Sequence, residues 1–171
     1  MNQINIQYYK KNGCELILGS YDGKLCLADH LYRKQRDRVD KRLKKLLNAN
    51  YVECDDALLT QAKKELDEYF VMDRKEFDIP LLLVGSDFQK SVWNALLQIP
   101  YGETRSYKEQ SKIVGDEKAV RAVANANGAN AISIIVPCHR IIGSNGNLTG
   151  YAGGLTLKKK LLELENNLFT I

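Results

Sequence analysis

The chain lacks most of what would place it in a membrane, a secretory route or a repeat assembly. No run of about 18 or more apolar residues occurs, so no membrane span is expected. The start, Met1-Asn2-Gln3-Ile4-Asn5, has neither a basic cluster nor an apolar stretch after it, and no secretory signal is read there. There is no internal repeat, no low-complexity tract and no Gly/Ser-rich spacer. Histidine is scarce, with two in 171 residues, so an imidazole-rich metal site is excluded. The four cysteines, Cys14, Cys26, Cys54 and Cys138, never take Cys-x-x-Cys spacing. Even with His30 nearby, they predict no metal and no cofactor. Without a secretory signal they read as reduced thiols in a cytoplasmic protein. The net charge of +4 is mild: it permits a polyanionic partner without arguing for one.

What is present is ordinary globular material, 44% apolar and 27% charged, long enough for one large domain or two small ones. In the first half, Cys14–Gly19 and Lys24–Ala28 read as strands joined by the Asp22-Gly23 turn. From Gln35 to Leu47, Val39, Leu43, Leu46 and Leu47 fall at helical spacing. Basic residues surround them from Arg33 to Lys45; the run fits a DNA-facing helix or, as the favoured reading, a solvated face balanced in part by Asp37 and Asp40. A second amphipathic helix runs from Ala57 to Val71, followed by an extended segment through Pro80. The linker is placed between Pro80 and Ser86, giving domains of 1–82 and 83–171.

The second half reads as helices. Phe88–Ile99 ends at Pro100-Tyr101-Gly102. Tyr107–Val114 and Glu117–Asn127, joined by Gly115-Asp116, form a helix-turn-helix pattern. Ile142–Leu148 suggests a wing or tight turn, and Thr156–Asn166 a last helix. Between them an apolar run, Ile132–Val136, meets a proline and then Cys138-His139-Arg140. A thiol reacts as thiolate and, with a free pKa of about 8.5, needs a base or cation beside it. His139 and Arg140 supply candidates, and Glu165 is a candidate orienter of the imidazole. Taken singly, these residues are equally a buried cysteine, a chance neighbour and a surface glutamate.

Several motifs in order change that balance. Asp87-Phe88-Gln89-Lys90-Ser91-Val92-Trp93, Ile99 to Tyr107, Ala119-Val120-Arg121-Ala122-Val123, Asn130, Pro137-Cys138-His139-Arg140, Gly150 to Leu155 and Leu161 to Glu165 together resemble the catalytic domain of the O6-alkylguanine-DNA alkyltransferases. The resemblance implies an α/β (α+β) protein: an N-terminal ribonuclease-H-like α/β domain and a C-terminal, mainly helical winged helix-turn-helix domain. It implies irreversible transfer of an alkyl group from O6-alkylguanine in duplex DNA to Cys138, with O4-alkylthymine a further candidate lesion. By resemblance His139 takes the thiol proton through a water, Glu165 holds the imidazole, Tyr107 protonates the leaving base and Asn130 braces the cysteine turn. Arg121 fills the space left by the flipped base, with Ser106, Tyr107, Ala122 and Arg140 also on DNA. Ile141, Tyr151, Ala152 and Gly153 line the pocket. Two departures concern rate and substrate range: Ala131 where the family often has proline, and Ala152 where relatives can carry a hydroxyl.

The expected partner is double-stranded alkylated DNA, bound by a monomer with no membrane attachment. The rivals are a lesion sensor without transfer, a winged-helix regulator and a thiol hydrolase. Cys138 argues against the first. The Cys-His-Arg core would be coincidence in the second. The third wants an oxyanion-binding signal beyond the glycine loop.

Overall fold

The computed structural model describes residues 2–166 and divides into two compact units, Met1–Gly85 and Ser86–Ile171. The division falls three residues beyond the expected 82/83 boundary. Residues 80–84 are held to the first unit by Leu25 N–H donating to the Pro80 carbonyl, by Leu82 N–H donating to Leu25, and by Arg42 Nε donating to Val84.

The first unit is α/β. Strands β1 (Asn2–Lys11), β2 (Cys14–Tyr21), β3 (Lys24–His30) and β4 (Ala49–Glu53) form a sheet in the order β3-β2-β1-β4. The first three are antiparallel, and β4 runs parallel to β1 after a crossover through α1 (Arg36–Leu47). This is the ribonuclease-H-like arrangement. Both hairpins turn on a pair of residues with positive φ, Asn12-Gly13 and Asp22-Gly23, the combination two-residue loops favour because its twist matches the strands. The reading from periodicity found only the second. The alternation of β1 is broken at Tyr8-Tyr9, where Tyr9 is the buried one, and β4 is short and polar. Helix α2 (Ala57–Phe70) starts at Asp56, whose carboxylate accepts from Leu59 N–H at 2.7 Å. It packs Leu59, Leu66 and Tyr69 over β1–β3.

The second unit is mainly helical. Two helices begin with reciprocal caps in which a serine side chain accepts from the third residue's N–H and that residue's side chain accepts from the serine N–H. These are Ser86/Gln89 for α3 (Asp87–Leu97) and Ser106/Glu109 for α4 (Tyr107–Val114). α5 spans Val120–Gly128, three residues shorter at its start than expected because 116–119 close a turn (Ala119 N–H to Asp116). α3, α4 and α5 pack on one another through Val92, Leu96, Val123 and Ala126. Trp93 Nε1 donates to the Ala126 carbonyl at 2.9 Å, and Gln110 and Asn127 exchange two amide hydrogen bonds. The expected wing is a tight turn, Gly143 N–H to Asn147, following a short parallel pair of β5 (Arg105–Ser106) and β6 (Ile141–Ile142). α6 (Leu155–Glu165) packs on a single 3-10 turn, Cys138–Arg140. Among the described residues no helix is long and apolar enough to cross a membrane.

Candidate active site

The apolar run before the cysteine is not a strand. Ile135 N–H donates to Ser133 across Ile134, whose φ is +71°, and Cys138 N–H donates to Val136 across Pro137 (φ −85°, ψ 66°). These are two three-residue turns of opposite hand. A β-branched residue in the left-handed region costs about 1–3 kcal/mol and persists only where its surroundings impose it. Here the surroundings are a fully buried segment and Asn130. The Asn130 amide donates to the Val136 carbonyl at 2.9 Å and to Cys138 Sγ at 3.4 Å, while its oxygen accepts from Ile132 N–H at 3.0 Å. One side chain thus closes the loop and touches the sulfur that the loop presents. Cys138 is half-buried, in contrast to Cys14 and Cys26, which are strand interior.

The 3-10 turn then aims two consecutive side chains at the end of α6. His139 Nε2 lies 2.6 Å from Glu165 Oε2. Arg140 donates Nε to Glu165 Oε1 at 2.7 Å, Nη2 to Oε2 at 3.1 Å and Nη1 to the Ile99 carbonyl at 2.7 Å. All three side chains are buried. Burial alone would raise the Glu165 carboxyl, but His139 and Arg140 hold it well below the usual carboxylate range. The His139 ring is lowered by burial, against the pull of Glu165. A carboxylate facing a neutral imidazole follows, with the ring donating through Nε2. Its lone pair then lies on Nδ1, a buried atom that makes no hydrogen bond among the described residues.

A third buried charge was not legible beforehand. Lys158 Nζ donates to the carbonyls of Ile141, Thr149 (2.7 Å) and Gly150 (3.4 Å). It ties both ends of the 142–149 loop to α6. Burial lowers its ammonium pKa, while the nearby Cys138 acts in the opposite direction. It sits in the run Lys158-Lys159-Lys160, which reads as solvated; its phase with buried Leu161 and Glu165 was the available signal. The same loop reaches Tyr107, whose hydroxyl accepts from Thr149 Oγ1 at 3.2 Å. The Tyr151 ring stands nearly perpendicular to that of His139, 6.4 Å between centroids. Ala152 and Gly153 follow it in the half-buried turn leading into α6.

The remaining expected residues divide. Arg121 and Ala122 are exposed on α5, opposite buried Val123 and Ala126. Ser106 caps α4 through its hydroxyl, so its side chain has a structural task beside any contact with DNA. Arg140 differs from the expectation that it touches DNA. Its guanidinium is buried and bonded to Glu165 and Ile99, because an arginine beside a desolvated carboxylate is held there by charge and by its fork of donors. Among the described residues no group of three or more His, Cys, Asp or Glu is placed to hold a metal.

Residues 87–167 match the family model described as 6-O-methylguanine DNA methyltransferase, DNA binding domain. The constitutive methylated-DNA–protein-cysteine methyltransferase of Bacillus subtilis is 45% identical over 152 residues, 88% of each chain. The chain belongs to the methylated-DNA–protein-cysteine methyltransferase family. A methyltransferase of this name from Methanosarcina acetivorans is 57% identical over 107 residues, 63% of this chain and 69% of that one. Among solved structures, the O6-methylguanine methyltransferase of Mycobacterium tuberculosis superposes with a TM-score of 0.80 at 39% identity, covering 97% of this chain and 94% of that chain. A structure of the Mycobacterium enzyme in complex with DNA matches with the same TM-score at 38% identity.

Proposed function

We propose that this methyltransferase-family chain repairs duplex DNA by moving the alkyl group of O6-alkylguanine onto Cys138, once per molecule. The observation that carries the reading is a half-buried cysteine followed at once by a buried imidazole bonded to a carboxylate at 2.6 Å. Relatives over most of the chain bear the name methylated-DNA–protein-cysteine methyltransferase.

The chemistry follows from the geometry. Displacement at an alkyl carbon wants a soft, strong nucleophile, a thiolate. The Cys138 proton passes through a bridging water to His139 Nδ1, and Glu165 stabilises the imidazolium that forms. Asn130 Nδ2–H and the Lys158 ammonium favour negative charge on the sulfur. The sulfur bonds to the alkyl carbon, the carbon–O6 bond breaks, and its electron pair goes to the guanine, which Tyr107 protonates at N3. The product thioether is a poor leaving group, so Cys138 is not regenerated.

A base inside the duplex must first be swung out of the stack, at a cost of about a few kcal/mol. Arg121, exposed on α5 and without an ion pair among the described residues, fills the vacated space, with Ala122 and Ser106 beside it at the groove. The flipped base lies against Tyr151, Ala152 and Gly153. The carbonyls of Cys138 and Ile141 accept from its exocyclic amine, and Ile141 still has a lone pair beyond the one taken by Lys158. The protein acts as a monomer in the cytoplasm, consistent with four cysteines outside any disulfide.

The deciding experiment incubates the protein with a duplex carrying one O6-methylguanine and reads intact and peptide masses beside Cys138→Ala. One methyl on the Cys138 peptide, absent in the variant, with guanine restored, is expected. Tight lesion binding without mass gain would make the protein a sensor. Two or more repaired lesions per protein would refute single use.

A further inference from the structure

Residues 33–45 hold eight cations and two carboxylates, a net +6 against +4 for the whole chain, so the rest of the molecule is net −2. The structure sorts these eight into two equal sets. Arg33 and Arg36 are drawn onto buried Asp29, Arg42 donates to the Val84 carbonyl, and Lys44 lies over the Tyr51 ring at 4.5 Å. Lys34, Arg38, Lys41 and Lys45 are exposed and make no ion pair among the described residues. Some exposed lysines elsewhere do pair, Lys10 with Glu15, Lys108 with Glu117 and Lys159 with Glu163, while others such as Lys24 and Lys64 make no ion pair among the described residues but stand apart from one another in the sequence.

Position completes the pattern. Arg38, Lys41 and Lys45 are spaced i, i+3, i+7, which puts them on one stripe of α1, opposite buried Val39 and Leu43. Lys34 stands in the turn just before the helix. Asp40 is bonded to Arg36 and Tyr51 and faces away from the stripe. Asp37, one turn before Lys41, is the carboxylate nearest in phase, yet makes no ion pair with it among the described residues. From Arg38 to Lys45 the axial rise is about 10 Å, about the rise of three base pairs along a duplex axis, on which each strand carries one phosphate per about 3.4 Å.

We propose that this stripe is a second, sequence-independent DNA contact, carried by the first unit and gripping backbone phosphates. The inference rests on the reading that the chain acts on DNA. Its occupant is a polyanion rather than a folded protein. Long mobile cations suit a diffuse row of phosphates, whereas a protein interface centres on buried aromatic and apolar anchors, and here only Leu46 is an exposed apolar residue on the helix.

The test compares Arg38→Gln/Lys41→Gln/Lys45→Gln with a charge-matched control, Lys10→Gln/Lys24→Gln/Lys64→Gln, on undamaged duplex across a salt series. Three lost phosphate contacts should flatten the slope of log affinity against log salt by about 2–3 and weaken low-salt binding by about tenfold or more. The control should behave as wild type. The rate of Cys138 alkylation at saturating DNA should be unchanged in both. An unchanged slope in the stripe variant, an equal loss in the control, or lost binding to polyglutamate with DNA binding intact would overturn the proposal. If the wild type neither binds duplex nor becomes alkylated, the reading of function has failed instead.

Discussion

Each unit buries a carboxylate against two nitrogen-bearing side chains, yet the two arrangements differ in what they can do. In the first unit Asp29 accepts from Arg33, Arg36 and the His30 N–H. Complete burial pushes its carboxyl up against the pull of the two guanidiniums. In the second unit Glu165 accepts from Arg140 and faces His139, and its carboxyl is held down. The groups around Asp29 are rigid forks of donors, so that cluster is a clamp. An imidazole can take a proton and release it, so the cluster around Glu165 can couple to a neighbour. The cysteines repeat the contrast. Burial pushes Cys14 and Cys26 up to about 12, where no thiolate forms, whereas Cys138 stands half-buried on a strained turn beside the imidazole. Burial makes both regions firm; reactivity lies where a buried group has a partner that can change its protonation.

The sharpest way to break this comparison is at the thiols. Cys138→Ala is expected to abolish alkyl transfer completely while leaving lesion binding, and Cys26→Ala to leave transfer intact; peptide mass after incubation with alkylated duplex reads both. Transfer persisting in Cys138→Ala would move the chemistry to another residue.

Next come the carboxylates. Glu165→Gln and Asp29→Asn each leave a buried arginine without its counter-charge and should each cost about 3–5 kcal/mol in urea unfolding. Only Glu165→Gln should also slow single-turnover transfer, by about 100-fold or more, the usual scale of a positioned acid–base group. Equal rates for the two variants would reduce Glu165 to a clamp like Asp29.

The pH dependence separates them further. The folded state holds His139 below its ordinary value of about 6.5 and Glu165 below about 4.3. Both shifts are depressions, so the stability they contribute is present above those ordinary values and lost as pH falls through them. The melting temperature should therefore drop between about pH 7 and 5, and again below about pH 4. His139→Asn should flatten the first drop, and a wild-type profile without it would mean the ring is not desolvated.

The smallest effect concerns the support of the site. Gly102 has φ +83°, and a Cβ there would stand 3.3 Å from the Glu165 carbonyl. Gly102→Ala should destabilise by about 1 kcal/mol or somewhat more, with transfer per folded molecule reduced only a few-fold. An unchanged Tm would show that the close approach is relaxed in solution.

Local chemistry was legible in the sequence at most places where neighbours along the chain decide the outcome, the Asn12-Gly13 hairpin being missed. The Asp22-Gly23 hairpin, the apolar phases of α1, α2 and α3 and the Cys138-His139 dipeptide all depend on residues within a turn or two. The order of the motifs added the family, and with it a reason to prefer Glu165 as partner of His139 over a solvated residue of the last helix. Tertiary structure alone decided how the buried charges pair. Ile132–Val136 has the composition of a strand, but Asn130 and the surrounding core fold it into two tight turns with Ile134 strained. Arg140 was expected on DNA and Lys158 was not singled out; both are buried, bonded to groups between 8 and 41 residues away. A charged side chain goes inward only where desolvation is offset by several donors or acceptors converging from distant segments. No local pattern encodes that convergence.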